Sequence, residues 1–286
     1  MKDPQRLLET AELAAWRLAR NGPIHFVPTM GNLHAGHLAL VDAAAAEGVA
    51  VIVSIFVNPT QFGPDEDFER YPRTVEDDLG LLRGRCNAVW LPAVEDLYPL
   101  GPERGFDVRV PEALAGILCG AHRPGHFDGV ANVVLRLFQH VRPHRAVFGE
   151  KDYQQLTILR RLVSDFALGI QVDAEPTVRE ADGLAMSSRN RYLSDAERRI
   201  APALYRTLVD LAEQAAEPED SSSPGTLRAL SRSGMERLAA CGFEPEYVEF
   251  RDAGTLGPAG SGPLRLLAAA RLGPARLIDN VVVSRH

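Results

Sequence analysis

Ile24-His25-Phe26-Val27-Pro28-Thr29-Met30-Gly31-Asn32-Leu33-His34-Ala35-Gly36-His37-Leu38-Ala39-Leu40-Val41-Asp42-Ala43-Ala44 decides the fold. Ile24 to Val27 is short, apolar and β-rich, Pro28 to Asn32 has turn chemistry, and Leu38 to Ala44 has the pattern of a helix closed by Gly48. Val49 to Val57 then forms a continuous apolar run, as expected of a parallel strand covered on both faces. Upstream, Leu7, Leu8, Leu13, Ala14, Trp16 and Leu18 recur at helical spacing until Asn21-Gly22-Pro23 stops them.

The pattern continues downstream. Asn58 to Arg73 is a polar loop rich in Pro, Gly and Asp, placed after a strand, where open α/β sheets carry binding residues. Val75 to Leu82 reads as a helix, Ala88 to Leu91 as a strand, Gly129 to Val141 as a helix, Arg145 to Phe148 as a strand, Gln154 to Phe166 as a helix and Ile170 to Val172 as a strand. This alternation predicts an α/β fold with a doubly wound parallel sheet. After Pro176 the character changes. Two helical stretches, Asp195 to Ala216 and Thr226 to Cys241, flank a low-complexity linker, Glu217 to Gly225. Strand-like segments Tyr247 to Phe250, Leu264 to Ala268 and Leu277 to Val283 follow, so a smaller α+β C-terminal domain is expected over 178–286, after a first domain over 1–177.

Composition bounds the function. At 286 residues, 45% apolar and 24% charged, the chain can bury two cores and has no disordered, collagen-like or membrane signature. A formal charge of -7 argues against a broad nucleic-acid surface, which needs clustered Lys and Arg. Met1 to Arg20 intersperses charges and lacks the apolar core of a signal peptide, and no apolar run reaches the roughly 18 residues of a membrane span. Cys86, Cys119 and Cys241 are far apart and show no metal-ligand spacing, so a cytoplasmic protein with buried, inert thiols is expected.

Five constellations carry candidate chemistry. His34 and His37 stand at i and i+3 on the first turn of a helix that follows a strand, with Gly36 between them. Unpaired N–H groups and the dipole favour phosphate there, and imidazoles titrating near pH 6.5 can donate to it; capping or surface histidines are the plain alternative. Met186-Ser187-Ser188-Arg189-Asn190 groups two hydroxyls and a guanidinium, suited to phosphate or to an ordinary turn. Gly149-Glu150-Lys151-Asp152-Tyr153-Gln154-Gln155 puts a lysine at the carboxyl end of a strand, where it can neutralise an α-phosphate or be a solvated charge. In Phe56-Val57-Asn58-Pro59-Thr60-Gln61-Phe62, Gln61 can hydrogen-bond substrate oxygens without adding charge, and Asp77 with Asp78 offers oxygen ligands to Mg²⁺. Ala121 to Val130, with His122 and His126, is a polar, Gly-rich loop before a helix, suited to bordering a substrate pocket or to shaping that pocket and capping the helix, with no catalytic step assigned to either histidine.

Seven motifs in order, PTMGNLHAGH (28–37), SIFVNPTQF (54–62), RYPRT (70–74), RPGHFDGV (123–130), FGEKDYQQL (148–156), MSSRNRYL (186–193) and ARLIDN (275–280), cover nearly the whole chain. Together they closely resemble the pantoate–β-alanine ligase family, and His34-Ala35-Gly36-His37 is the HxGH signature of a wider adenylyl-transferring superfamily. The resemblance implies a Rossmann-like first domain, a carboxy-terminal lid and a homodimer. It also implies a reaction in which pantoate and Mg-ATP give pantoyl adenylate, which β-alanine converts to pantothenate and AMP. By the same resemblance, Met30, Gly31, Asn32, Leu33, His34, Ala35, Gly36 and His37 contact ATP, with His37 as proton donor and His34 on the phosphates. Gly149, Glu150, Lys151, Asp152, Val178, Met186, Ser187, Ser188 and Arg189 complete the nucleotide set, Gln61 and Gln155 hold pantoate, and Gln61 with Asn58 faces β-alanine. The open alternatives are a different adenylyl transferase, an RNA-binding synthetase fragment, which the acidic balance opposes, and an ATP sensor without turnover.

Overall fold

The computed structural model describes residues 2–46, 48–64, 66–216 and 223–284. Most of the expected linker, residues 217–222, therefore lies outside the described residues. The chain divides into two compact units. The first comprises Met1–Ala115, Arg123–Glu150 and Ile158–Pro176; the second comprises Gly116–His122, Lys151–Thr157 and Thr177–His286.

The first unit is built on a parallel sheet of six strands: β1 (Gln5–Leu7), β2 (Ile24–Thr29), β3 (Ala50–Ile55), β4 (Ala88–Trp90), β5 (Arg145–Gly149) and β6 (Gln171–Glu175). Their spatial order is β1-β4-β3-β2-β5-β6, with every pair parallel. The helices that carry the chain between strands include α1 (Thr10–Leu18), α2 (Ala35–Ala44), α3 (Val75–Leu82), the short α4 (Val94–Leu97) and α5 (Glu112–Ala115). After α6 (Leu118–His122), which belongs to the second unit, come α7 (His126–Val141) and α8 (Tyr153–Asp165). Val27, Val41, Val51, Val53, Leu82 and Val89 pack into one core at 0–3% exposure, as the apolar runs predict for strands covered on both faces. The chain leaves β2 for β3 on one side and β5 lies on the other, so the carboxyl ends of β2 and β5 flank a switch point, where such sheets open a ligand crevice. The doubly wound parallel sheet is the predicted fold class.

One expectation is overturned at the amino terminus. Leu7 lies in β1, paired with Trp90 of β4, and not in a helix. Three residues at a sheet edge carry too few alternations to be told from a helical stripe. The helix itself starts at Thr10, behind a capping box of Glu9 and Glu12.

The second unit holds an antiparallel sheet in the order β7-β8-β9, from β7 (Glu244–Asp252), β8 (Leu264–Leu272) and β9 (Ala275–Val283). Alternate residues of these strands pack with α10 (Ala203–Ala216) and α11 (Pro224–Ala240) into a core that includes Leu204, Leu208, Leu211, Leu238, Leu264 and Leu266. The stretch expected as one helix from Asp195 is two, α9 (Asp195–Ile200) and α10, because Pro202 has no N–H to continue the ladder.

Candidate active site

In the first unit, the HxGH turn is fixed from below by a carboxylate. β2 ends at Thr29, whose hydroxyl donates to Ser54 O (2.8 Å) and accepts from Gly31 N (3.2 Å). The chain then turns through Gly31 at φ +79° and Asn32 at φ +50°. A side chain at Gly31 would come within 2.9 Å of Ile55 Cγ2 and 3.0 Å of Asp78 Oδ2, so glycine is required there. Asp78, 1% exposed on α3, accepts from Asn32 N (2.9 Å) and Leu33 N (2.8 Å), one bond to each oxygen. Thr74 Oγ1 adds a third at 3.3 Å.

His34 is the N-cap of α2. Its Nδ1 accepts from Gly36 N (3.1 Å), and His34 N donates to His37 Nδ1 (3.3 Å), a reciprocal capping box. A ring nitrogen that accepts is unprotonated, so in each neutral imidazole the proton resides on Nε2. The two rings stack with centroids 4.1 Å apart at 40°. The capping alternative is met in the structure: Nδ1 of each ring accepts at the helix start, which puts the ring proton on Nε2.

Gln61 is held from several directions. Asn58, 1% exposed, caps a 3-10 turn over Pro59–Gln61; its Nδ2 donates to Gln61 Oε1 (3.2 Å) and Gly129 O (3.2 Å). Its Oδ1 accepts from Tyr98 Oη (2.9 Å) and Thr60 Oγ1 (3.1 Å). Gln61 Nε2 in turn donates to Met30 Sδ (3.1 Å), which joins this loop to the turn after β2. The Gln61 carbonyl accepts from His126 Nδ1 (2.8 Å), and Arg123 Nη1 donates to His126 Nε2 (2.8 Å). Arg123 also forms a two-bond ion pair with Glu66, each bond 2.6 Å. Burial works to raise the Glu66 carboxyl pKa, but the hydrogen bonds and charge of Arg123, aided by His126, hold it below its ordinary value. Arg123 and Gly129, from the Gly-rich segment Ala121 to Val130, and Tyr98, to which the sequence analysis assigned nothing, thus hold Gln61 and Asn58 in place.

In the second unit, Lys151 and Asp152 lie in a 3-10 turn, Glu150–Asp152, directly before α8, with Lys151 Nζ 3.7 Å from Asp152 Oδ2. Gln155 is partly exposed on the first turn of α8, beside the buried Gln154. Gln154 Nε2 donates to Ile117 O (2.9 Å) and its Oε1 accepts from Cys119 N (3.0 Å). Val178 and Met186 close a small hairpin through Met186 N to Val178 O (3.0 Å) and Glu180 N to Leu184 O (2.9 Å). Ser187 then caps a second 3-10 turn, Ser188–Tyr192, by accepting from Arg189 N (3.2 Å). The isolated bridge between Arg179 and Ala185 and these two backbone bonds fix the point from which Met186 to Arg189 departs.

The two acidic residues read as oxygen donors, Asp77 and Asp78, have different surroundings. Asp78 is buried with its oxygens engaged by backbone N–H groups, whereas Asp77 is exposed on α3. Among the described residues no cluster of three or more His, Cys, Asp or Glu side chains is suited to a metal. His122 stacks near Tyr247, centroids 5.9 Å apart, within the second unit.

The profile of the Pantoate-beta-alanine ligase family matches residues 4–282. The pantothenate synthetase of Azotobacter vinelandii is 53% identical over 265 residues, 91% of each chain. That of Acidithiobacillus ferrooxidans is 49% identical over 279 residues, 96% of this chain and 98% of its own. Among solved structures, pantothenate synthetase from Thermus thermophilus superposes with a TM-score of 0.87 at 45% identity, covering 98% of this chain and 99% of its own. The Francisella tularensis pantoate-beta-alanine ligase, solved in complex with beta-gamma ATP and beta-alanine, gives a TM-score of 0.80 at 33% identity, covering 98% and 97%.

Proposed function

The chain belongs to the pantoate–beta-alanine ligase family, and from that premise we propose a two-step reaction at the residues described above. A pantoate carboxylate oxygen attacks the α-phosphorus of ATP, the bond to the bridging oxygen breaks, and pyrophosphate leaves with that electron pair. The amine of β-alanine then attacks the acyl carbon of the adenylate, AMP departs, and the amine loses a proton as the amide forms. No covalent bond to the enzyme is needed, so the protein contributes position and electrostatics.

The observation that carries this reading is the imidazole pair locked at the start of α2, with Nδ1 of each ring committed to backbone N–H and Nε2 left to carry the proton. His34 and His37 then donate to phosphate oxygens at a helix N-terminus, and His37 meets the charge that builds on the leaving pyrophosphate. Met30 to His37, Gly149 and Glu150 of the first unit, and Lys151, Asp152, Val178 and Met186 to Arg189 of the second, are assigned to ATP. Gln61 and Gln155 are assigned to pantoate. Gln61 also serves β-alanine, with Asn58 acting through the amide that it holds. Mg²⁺ accompanies the nucleotide phosphates in this reading, without Asp78 as a ligand. The enzyme works as a homodimer in the cytoplasm; among the described residues no helix is long and apolar enough to cross a membrane.

The test is product analysis with ATP, pantoate and β-alanine, each omitted in turn. AMP and pantothenate should require all three, and pyrophosphate should appear without β-alanine. AMP formation independent of pantoate, or a dinucleotide product, would favour the rival readings.

A further inference from the structure

The motif ARLIDN (275–280) forms most of β9, yet nothing in the reaction above uses it. Its last two residues are polar and buried, Asp279 and Asn280 each 3% exposed, in a sheet filled mainly with Leu, Ala and Val. Consecutive strand residues point to opposite faces, so the two side chains reach in opposite directions from one backbone. Asp279 shares its face with Leu277 and Val283 of the helix-packed core and accepts both Arg179 Nη1 (2.6 Å) and Nη2 (2.9 Å). Arg179 follows Val178 in the hairpin; its Nη1 also donates to Gly183 O (3.1 Å), and its guanidinium lies 3.6 Å over the Tyr205 ring.

Asn280 faces the other way. Its Nδ2 donates to the carbonyl of Lys151 (3.0 Å), and its Oδ1 accepts from Arg265 Nε (2.7 Å). Arg265 covers the Tyr153 ring at 3.9 Å, and Tyr153 Oη donates to Ala253 O (2.8 Å). The backbone of Asn280 donates to Asp279 Oδ1 (2.8 Å), coupling the two arms. Burying a carboxylate, an amide and the Arg265 guanidinium beside one small sheet, with Arg179 partly buried, costs desolvation that apolar residues would avoid, so a purely cohesive role accounts poorly for them.

We infer that Asp279 and Asn280 are positioning residues for ATP: Asn280 fixes the peptide that carries Lys151, and Asp279 fixes the hairpin from which Met186 to Arg189 departs. This rests on the assignment of those two segments to the nucleotide. The C-terminal sheet is thereby the frame for two donor sets that lie 35 or more residues apart in sequence.

Asn280→Asp isolates the first arm, since a carboxylate still accepts from Arg265 but opposes an oxygen to the Lys151 carbonyl. Pyrophosphate release from ATP and pantoate, with β-alanine withheld, should fall by about tenfold or more, the scale expected when a reacting group is misplaced by a fraction of an ångström to an ångström. The double variant Asn280→Asp with Lys151→Ala should lose no more than Lys151→Ala alone, because the two changes act through one side chain. Wild-type ATP kinetics in Asn280→Asp, or losses that multiply in the double variant, would overturn the inference. If Asn280→Asp shows no cooperative thermal transition, Asn280→Ala, which adds no charge, is judged by the same criteria. Asp279→Asn should raise the KM for ATP several-fold; an unchanged value overturns the second arm. Lys151→Ala turning over normally would instead refute the parent assignment, so the two failures are distinguishable.

Discussion

At the scale of the residue, an ordinary hydrogen bond selects a tautomer. His37 is bound through Nδ1 to the His34 N–H, and that bond selects the tautomer with its proton on Nε2. His37→Ala should slow pyrophosphate release by about 10²-fold, the cost of a charge-stabilising donor, while the thermal midpoint moves little; unchanged release would remove His37 from the mechanism. Glu66 gives a pH prediction. Its folded pKa lies below the ordinary 4.5, so the stability it contributes is present in full above that value and is lost as pH falls through the lower folded pKa. The difference in unfolding free energy between the wild type and Glu66→Gln should therefore shrink on acidification below pH 4.5, and a difference that grows instead would reverse the sign assigned to the Arg123 pair. The histidines, Gln61 and Lys151 were legible as candidates because their side-chain chemistry is local. Asp78 was legible only as an acid on a helix, since the N–H groups that consume its oxygens come from residues some forty-five positions earlier.

At the scale of the element, turns and helix starts do most of the positioning. Gly129 on α7 faces the 3-10 turn of Pro59–Gln61 so closely that a Cβ would lie 2.2 Å from Thr60 O and 2.6 Å from its carbon. Backbone cannot yield as a flexible side chain does, so Gly129→Ala should destabilise by about 2–3 kcal/mol and displace Gln61. Denaturant unfolding and the KM for pantoate measure the two effects; a variant with wild-type values in both would mean that α7 can retreat freely. The sequence showed α3, α7 and α8 through apolar stripes that fix a period, and α2 through its place between a turn and Gly48. It did not show β1, whose three residues are held by pairing to β4, nor the break at Pro202, which is a single residue in a strong helical pattern.

At the scale of the whole molecule, ligand binding and folding are linked. ATP at a hundred times its Kd should stabilise the nucleotide-binding state by about 2.7 kcal/mol, seen as a raised thermal midpoint, and Lys151→Ala should reduce the shift. No shift at all would mean that ATP does not bind the folded chain. What the sequence by itself determined was the alternation of strands and helices, hence the parallel sheet, and the order of seven motifs, hence the family, because periodicity and motif are properties of neighbours along the chain. Tertiary structure alone decided the strand order that leaves β2 and β5 flanking the switch point, the commitment of Asp78 to the HxGH turn, the brace of Arg123, His126 and Glu66 on Gln61, and the grip of Asn280 on Lys151. Each of these joins residues tens of positions or more apart. Such partners are chosen by the packing of elements, and no local pattern records them.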